Sequence, residues 1–169
     1  MTTTPAKPAP KRKTLVAAIG AAAALIVTPF VSGWESGGKQ HLTAYRDIVG
    51  VWTICDGVIA GVTPGMVETK AGCEARRDAE LVKHAEPVLA CTPGLRDHPR
   101  QLAAAISLTY NIGTRGYCES TVARRFNARQ WRAACDAFLM WNKAGGKVVR
   151  GLTNRREAER RLCLTELPA

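Results

Sequence analysis

The pattern of apolar and polar positions divides the chain into three stretches. From Thr14 to Trp34 no residue is charged, and TLVAAIGAAAALIVTPFV (14–31) forms an 18-residue run rich in apolar and small side chains. From Trp34 to Gly61 the pattern shortens. TAYRD (43–47) and VWTIC (51–55) are β-prone, separated by Ile48-Val49-Gly50, and Gly57, Gly61, Pro64 and Gly65 mark loops. Beyond them the period is helical. Residues 70–90 place Leu81, Ala85, Val88 and Leu89 on one face, and 99–112 place Leu102, Ala105, Ile106 and Thr109. Asn111-Ile112-Gly113 reads as a helix C-cap. A short helix spans 120–127. Trp131, Ala134, Cys135 and Phe138 follow the i, i+3, i+4, i+7 spacing over 129–141, and Gly145-Gly146 breaks the pattern. A last helix starts at Asn154, with Glu157 at capping-box distance. These elements predict an α+β chain, a small β region followed by a mainly helical body.

The front of the chain has a different character. Residues 1–13 (MTTTPAKPAPKRK) are Pro-rich and basic, without the means to form a core, and read as a disordered arm. The charge-free run behind them is at the short end for a bilayer-spanning helix. A basic flank before it places the N-terminus in the cytoplasm and the rest outside. The pattern favours an uncleaved signal anchor over residues 14–33, with residues 34–169 exported. A cleaved signal peptide needs a small-x-small site, for which Val31-Ser32-Gly33 is poor. A buried soluble helix is the third reading, and the basic flank counts against it. Leu and Ile are few in the run, so the bilayer holds such an anchor weakly and escape is physically open.

Charge and cysteines narrow the function classes. The 169 residues carry a net charge of +10, spread well beyond the arm, which calls for a polyanionic partner. Nucleic acid, an anionic membrane and an acidic cell-wall polymer all qualify. Length and composition argue against a multidomain enzyme, a collagen-like chain and a multi-pass membrane protein. Six cysteines (Cys55, Cys73, Cys91, Cys118, Cys135 and Cys163) in an exported chain suggest disulfides, whose pairing stays open at this point. There is no CxxC pair, and His41, His84 and His98 are not at ligand spacing, so a structural metal is not expected. No cofactor is called for.

The densest chemistry lies in WESGGKQHLTAYRDIVGVWTICDG (34–57), which holds Glu35, Asp47, Thr53 and Asp56. Glycoside hydrolysis needs one protonated carboxyl for the leaving oxygen and a second group to direct water or attack the sugar. Glu35, beside Trp34 and after an apolar segment, is the candidate for a desolvated acid. Asp47, beside Arg46 in a turn, is the candidate for the ionised partner. Read alone, Glu35 is equally a surface residue after the anchor, and Asp47 a turn former.

This segment resembles the active-site region of the phage T4-type lysozymes, glycoside hydrolase family 24, and among them the lambdoid endolysins with a signal-arrest-release anchor. Ala44-Tyr45-Arg46-Asp47 through Gly50-Val51-Trp52-Thr53 carries the likeness, with five residues between Asp47 and Thr53 as in the family. It continues through Tyr110-Asn111-Ile112-Gly113, Ser120-Thr121, Ala134-Cys135, Trp141, Ala144-Gly145-Gly146-Lys147, Gly151-Leu152 and Arg155-Arg156-Glu157. The resemblance implies a lysozyme-like fold with a cleft between the β region and the helical body. It implies Glu35 as general acid, with Asp47 and Thr53 positioning water and Asp47 stabilising positive charge on the sugar. The bond cut is then the β-1,4 link from N-acetylmuramic acid to N-acetylglucosamine. Asn111, Arg155 and Arg156 are candidate substrate contacts, with a helix cap and a solvated helix start as their plainer readings. Trp131 and Trp141 read as core or groove wall. The resemblance suggests a Cys135–Cys163 disulfide, with Cys55–Cys73 and Cys91–Cys118 as the simplest remaining pairs. One departure stands out: eleven residues separate Glu35 from Asp47, a longer gap than the family's, with Ser36-Gly37-Gly38 as the apparent insertion. Where the family often has His, this chain has Val58, and Asp56 is read as a turn residue rather than a spare carboxylate.

The expectation is therefore a monomeric muramidase acting on peptidoglycan for host cell lysis. It is exported by the host secretion machinery, tethered to the inner membrane, and released to the periplasm. With no cysteine in the anchor, release cannot rest on thiol exchange there, and activation has to come from anchor exit and refolding around Glu35. Two rivals remain: a lytic transglycosylase, and a catalytically dead, membrane-anchored peptidoglycan-binding protein. A nucleic-acid binder rests on charge alone, and none is expected.

Overall fold

Apolar helices without charges have two places to go, a bilayer or a protein core, and in the computed structural model the front stretch takes the second. The structure describes residues 14–36, 41–47, 49–55 and 57–168. The basic arm 1–13, the Gly37-Gly38 insertion and the Asp56 turn lie outside the described residues. The front stretch forms two helices, α1 (Leu15–Ile19) and α2 (Ala21–Ser36). Thr14 caps α1, its Oγ1 accepting from the Ala17 N–H at 3.2 Å. The break between them is Gly20, at φ 81° and ψ 159°, a conformation that L side chains rarely adopt. Pro29 lies inside α2 and lacks the N–H that would reach back one turn.

A single continuous anchor helix is therefore not what this structure contains, and no helix among the described residues is long and apolar enough to cross a membrane. The physical reason is packing. Leu15, Ala18, Ile19, Ala23, Ala24, Val27 and Val31 are all buried, α1 against α3 (Lys70–Cys91) and α2 against α3 and α4 (Pro99–Cys118). Helix α2 also continues through the expected anchor–domain boundary at 33/34.

Helix α4 is the hub of the body. The sequence pattern assigns it one apolar face, whereas the structure buries every residue from Gln101 to Thr109, because α2, α3 and α7 (Arg150–Leu164) surround it. Its small residues, Ala103, Ala104 and Ala105, allow close approach on several sides. Its polar groups are satisfied internally, as burial requires. Gln101 Nε2 donates to the carbonyl oxygens of Cys163 (2.6 Å) and Thr165 (3.2 Å), and the Thr109 hydroxyl to Ala105 O (2.7 Å). Gly113, at φ 80° and ψ 160°, interrupts α4 where the C-cap signal lies, and a short helical piece follows to Cys118.

The remaining helices follow local signals. Thr69 caps α3, and its face of Cys73, Arg77, Leu81, Ala85 and Val88 repeats every three to four residues. Ser120 caps α5 (Thr121–Asn127) through the Ala123 N–H. The helix expected over 129–141 divides into α6 (Trp131–Asp136) and a 3-10 turn (Ala137–Trp141). Helix α7 begins at Arg150, a turn earlier than Asn154.

The β region is a two-stranded antiparallel hairpin, β1 (His41–Arg46) and β2 (Trp52–Cys55), with Tyr45 opposite Thr53 and Arg46 opposite Trp52. A second small hairpin pairs β3 (Lys143–Ala144) with β4 (Lys147–Val148) through Gly145 and Gly146, both at positive φ. That two-residue turn requires such residues. Three disulfides join neighbouring elements. Cys55–Cys73 ties β2 to α3, Cys91–Cys118 ties the ends of α3 and α4, and Cys135–Cys163 ties α6 to α7.

If α2 is an integral part of the core, Val27→Ala should destabilise the oxidised protein by about 2 kcal/mol through lost burial and a residual cavity. Denaturant unfolding measures this. A midpoint equal to that of the parent would mean that α2 contributes little to the folded state.

Candidate active site

Glu35 sits in the last turn of α2. The sequence places it against an apolar wall, but its carboxylate instead meets a cation. Glu35 Oε1 accepts from Arg155 Nη1 at 2.8 Å, with the Glu35 side chain 28% exposed and that of Arg155 7% exposed. The residue is thus fixed by one oxygen while still reachable from solvent. Arg155 comes from the second turn of α7, so α2 and α7 meet at this pair.

Asp47 and Thr53 share the β1–β2 hairpin. Asp47 closes the turn after β1: its Oδ1 accepts from the backbone N–H of Val49 (3.0 Å) and Val51 (2.8 Å). Its own N–H and C=O bond to Val51 O and Gly50 N, both at 3.0 Å. Asp47 is therefore an effective turn former, with its carboxylate held still. Thr53, on β2, is buried and donates its hydroxyl to Val51 O at 3.1 Å, which leaves the oxygen free to accept. The planar Arg46 guanidinium lies over the Trp52 ring, 5.2 Å from its centroid, and stiffens the base of the same turn.

The other candidate contacts are placed differently from one another. Asn111 is exposed, two residues before the break at Gly113. Arg155 and Arg156, expected either on the glycan or on a solvated helix start, are both interior residues of α7. Their charges are taken up inside the protein, mainly by Glu159, and Arg156 is 0% exposed. Trp131 packs against His98 (ring centroids 4.5 Å apart) and Phe126, and Trp141 against the core. A cavity of about 590 Å³ opens beside Trp131, Arg129 and Pro93, and none of Glu35, Asp47 or Thr53 lines it.

Sequence reasoning misses three residues here. Glu159 stands four residues after Arg155 and three after Arg156, a helical ion-pair spacing that was there to be read. Ser107 is a polar residue within the apolar run of α4, and its hydroxyl donates to Glu159 at 2.7 Å. His84 on α3 packs its ring against Tyr110, centroids 4.9 Å apart, within the electrostatic reach of Glu35. Burial holds its imidazole below the usual 6.5, and Glu80 and Glu35 oppose the shift.

A mainly helical body with small antiparallel hairpins is the architecture of a lysozyme-type glycoside hydrolase. The comparisons agree with the fold and with this class. The family model for phage lysozyme matches residues 35–159, and the chain belongs to that family. It is 36% identical to the SAR-endolysin of Enterobacteria phage P21, over 90% of this chain and 94% of the relative. Among solved structures, an endolysin from Escherichia coli O157:H7 phage FAHEc1 superposes with a TM-score of 0.71 at 29% identity, covering 84% of this chain and 92% of that one. The active form of the P1 phage endolysin Lyz shares the fold, with a TM-score of 0.73 at 24% identity, over 86% and 85% of the two chains. The activity is that of an endolysin, a muramidase acting on peptidoglycan.

The buried His84 has a consequence for acid stability. The folded state protonates it less readily than the unfolded chain, which takes up the proton near 6.5. Its contribution is fully present above that pH and is lost as pH falls below it. His84→Phe, which keeps the ring contact with Tyr110, should flatten the fall of Tm between about pH 7 and pH 5. Parallel Tm–pH curves for the two proteins would remove His84 from the account.

Proposed function

We propose that Glu35 is the general acid, and that Asp47 and Thr53 place the hydrolytic water on the opposite side of the scissile bond. Glu35 protonates the oxygen leaving N-acetylmuramic acid, and the β-1,4 link to N-acetylglucosamine breaks. Asp47, kept rigid by two backbone N–H groups, stabilises the positive charge that develops on the sugar. Thr53, with its proton committed to Val51 O, accepts a hydrogen bond from the water. The observation that carries this reading is Glu35 itself, an accessible carboxyl fixed by a single arginine contact at a helix end. Asn111 contacts the glycan, a reading supported by its exposure two residues before the Gly113 break. The substrate cleft lies between the β1–β2 hairpin and the helical body.

The same residues have a second role before catalysis. Residues 14–33 serve as the signal anchor during export, with the basic arm in the cytoplasm and the rest of the chain outside. The α1–α2 pair described above is then the released form, in which the former anchor completes the core beneath Glu35. The weak apolar character of its Ala-rich sequence supports this reading, as does the SAR-endolysin name of the phage P21 relative. The released enzyme works in the periplasm as a monomer.

Full-length oxidised protein and Glu35→Gln, each incubated with purified Gram-negative peptidoglycan, test the chemistry. Mass spectrometry of the fragments should show reducing muramic ends from the parent, and a rate about a thousandfold lower from the variant. Anhydromuramic ends would point to a lytic transglycosylase, and binding without turnover to a catalytically dead wall-binding protein. Comparing protein held in membrane vesicles with released protein tests the anchor. Release should be required for activity, and equal activity of the tethered form would sink the idea.

A further inference from the structure

Beneath Glu35 lies a cluster of ions that stability alone does not call for. Each nitrogen of the Arg155 guanidinium has one partner, on three different helices. Nη1 donates to Glu35 Oε1 at 2.8 Å, Nη2 to the Ser107 carbonyl at 3.2 Å, and Nε to Glu159 Oε1 at 3.3 Å. Glu159 is the centre of the cluster. Its Oε1 also accepts from the Ser107 hydroxyl (2.7 Å) and Arg156 Nη2 (2.9 Å), and its Oε2 lies 2.9 Å from Arg156 Nε. Glu159, Arg156 and Ser107 are all 0% exposed.

A buried ion network of this kind is no more stabilising than apolar side chains of the same volume, which commonly replace such networks without loss. Apolar side chains cannot do two things that this one does. They cannot hold a guanidinium at a fixed place under a carboxyl, and they cannot offset its charge. A cation beside a carboxyl favours the ionised form, whereas a general acid has to carry a proton. The Arg155 charge therefore needs a counterweight that is itself immobile and out of water.

We infer that Glu159 is a positioning residue for the acid chemistry: through Arg155 it fixes the orientation of Glu35 and offsets the positive charge that faces it. This rests on the reading of Glu35 as the general acid. Ser107 and Arg156 hold the Glu159 side chain in place. Burial raises the Glu159 carboxyl above its ordinary value, and Arg156, the Ser107 hydroxyl and Arg155 oppose that rise without cancelling it.

The test compares full-length oxidised parent, Glu159→Gln and Glu159→Asp by two readouts. One is the pH profile of muropeptide release at low substrate concentration. The other is the titration midpoint of the Glu35 carboxyl, followed by carbon NMR, which needs no turnover. Glu159→Gln removes the counterweight, so the basic limb of the profile and the Glu35 midpoint should both move down by about one pH unit. Glu159→Asp keeps the charge, and with it the fold, but draws back from Arg155 Nε. It should move both readouts by less in the same direction. A folded Glu159→Gln with parent-like limb and midpoint, changed only in Tm, would overturn the inference by showing a purely structural role. Should Glu159→Gln not fold, Glu159→Asp decides, and parent-like values in it would likewise overturn the inference. If the parent releases no muropeptides, the muramidase reading fails, while the Glu35 midpoint still decides whether Glu159 acts on it.

Discussion

The structure depends on the complete burial of the middle of one helix. Residues 101–109 of α4 have no face left for water, so every neighbour has to bring apolar surface to them, and every polar group on them has to find a partner inside. That constraint recruits α2, which carries no charge before its last turn and buries Ala23, Ala24, Val27 and Val31. It also explains the bonds of Gln101 and Ser107, which would be unremarkable on a surface and are obligatory here.

The site inherits its geometry from this arrangement. Helices α2 and α7 both pack on α4, and their meeting brings Glu35 to Arg155 across a long stretch of sequence. The hairpin that carries Asp47 and Thr53 is organised differently, by local hydrogen bonds and by one covalent tie to α3. A mainly non-local unit thus holds Glu35, and a mainly local one holds Asp47 and Thr53.

Much of this was legible in the sequence because periodicity reports burial. The face of α3 and the β-prone segments around Asp47 lie where the pattern puts them, whereas α4 is buried on every side. The front stretch was harder. Its lack of charge is the same signal whether lipid or protein surrounds it, and only the positions of Gly20 and Pro29 hint at a break. Arg155 and Arg156 defeat composition rules outright. Arginine is ordinarily exposed, and their burial follows from a partner, Glu159, whose significance lies in the i+3 and i+4 spacing rather than in any motif. For Asp47, the turn reading and the catalytic reading do not compete, since the bonds that make it a turn former also hold its carboxylate steady.

The three cystines give the folded state a dependence on where the chain is. They close sequence separations of 18, 27 and 28 residues, and each removes freedom from the unfolded ensemble worth about 3 kcal/mol in the loop-closure account. In a thiol-reducing cytoplasm those crosslinks do not persist, and the hairpin bearing Asp47 and Thr53 has no covalent tie to α3. One sequence therefore has two folding free energies, one on each side of a single membrane, and the difference favours the compact state only on the side where oxidants are present.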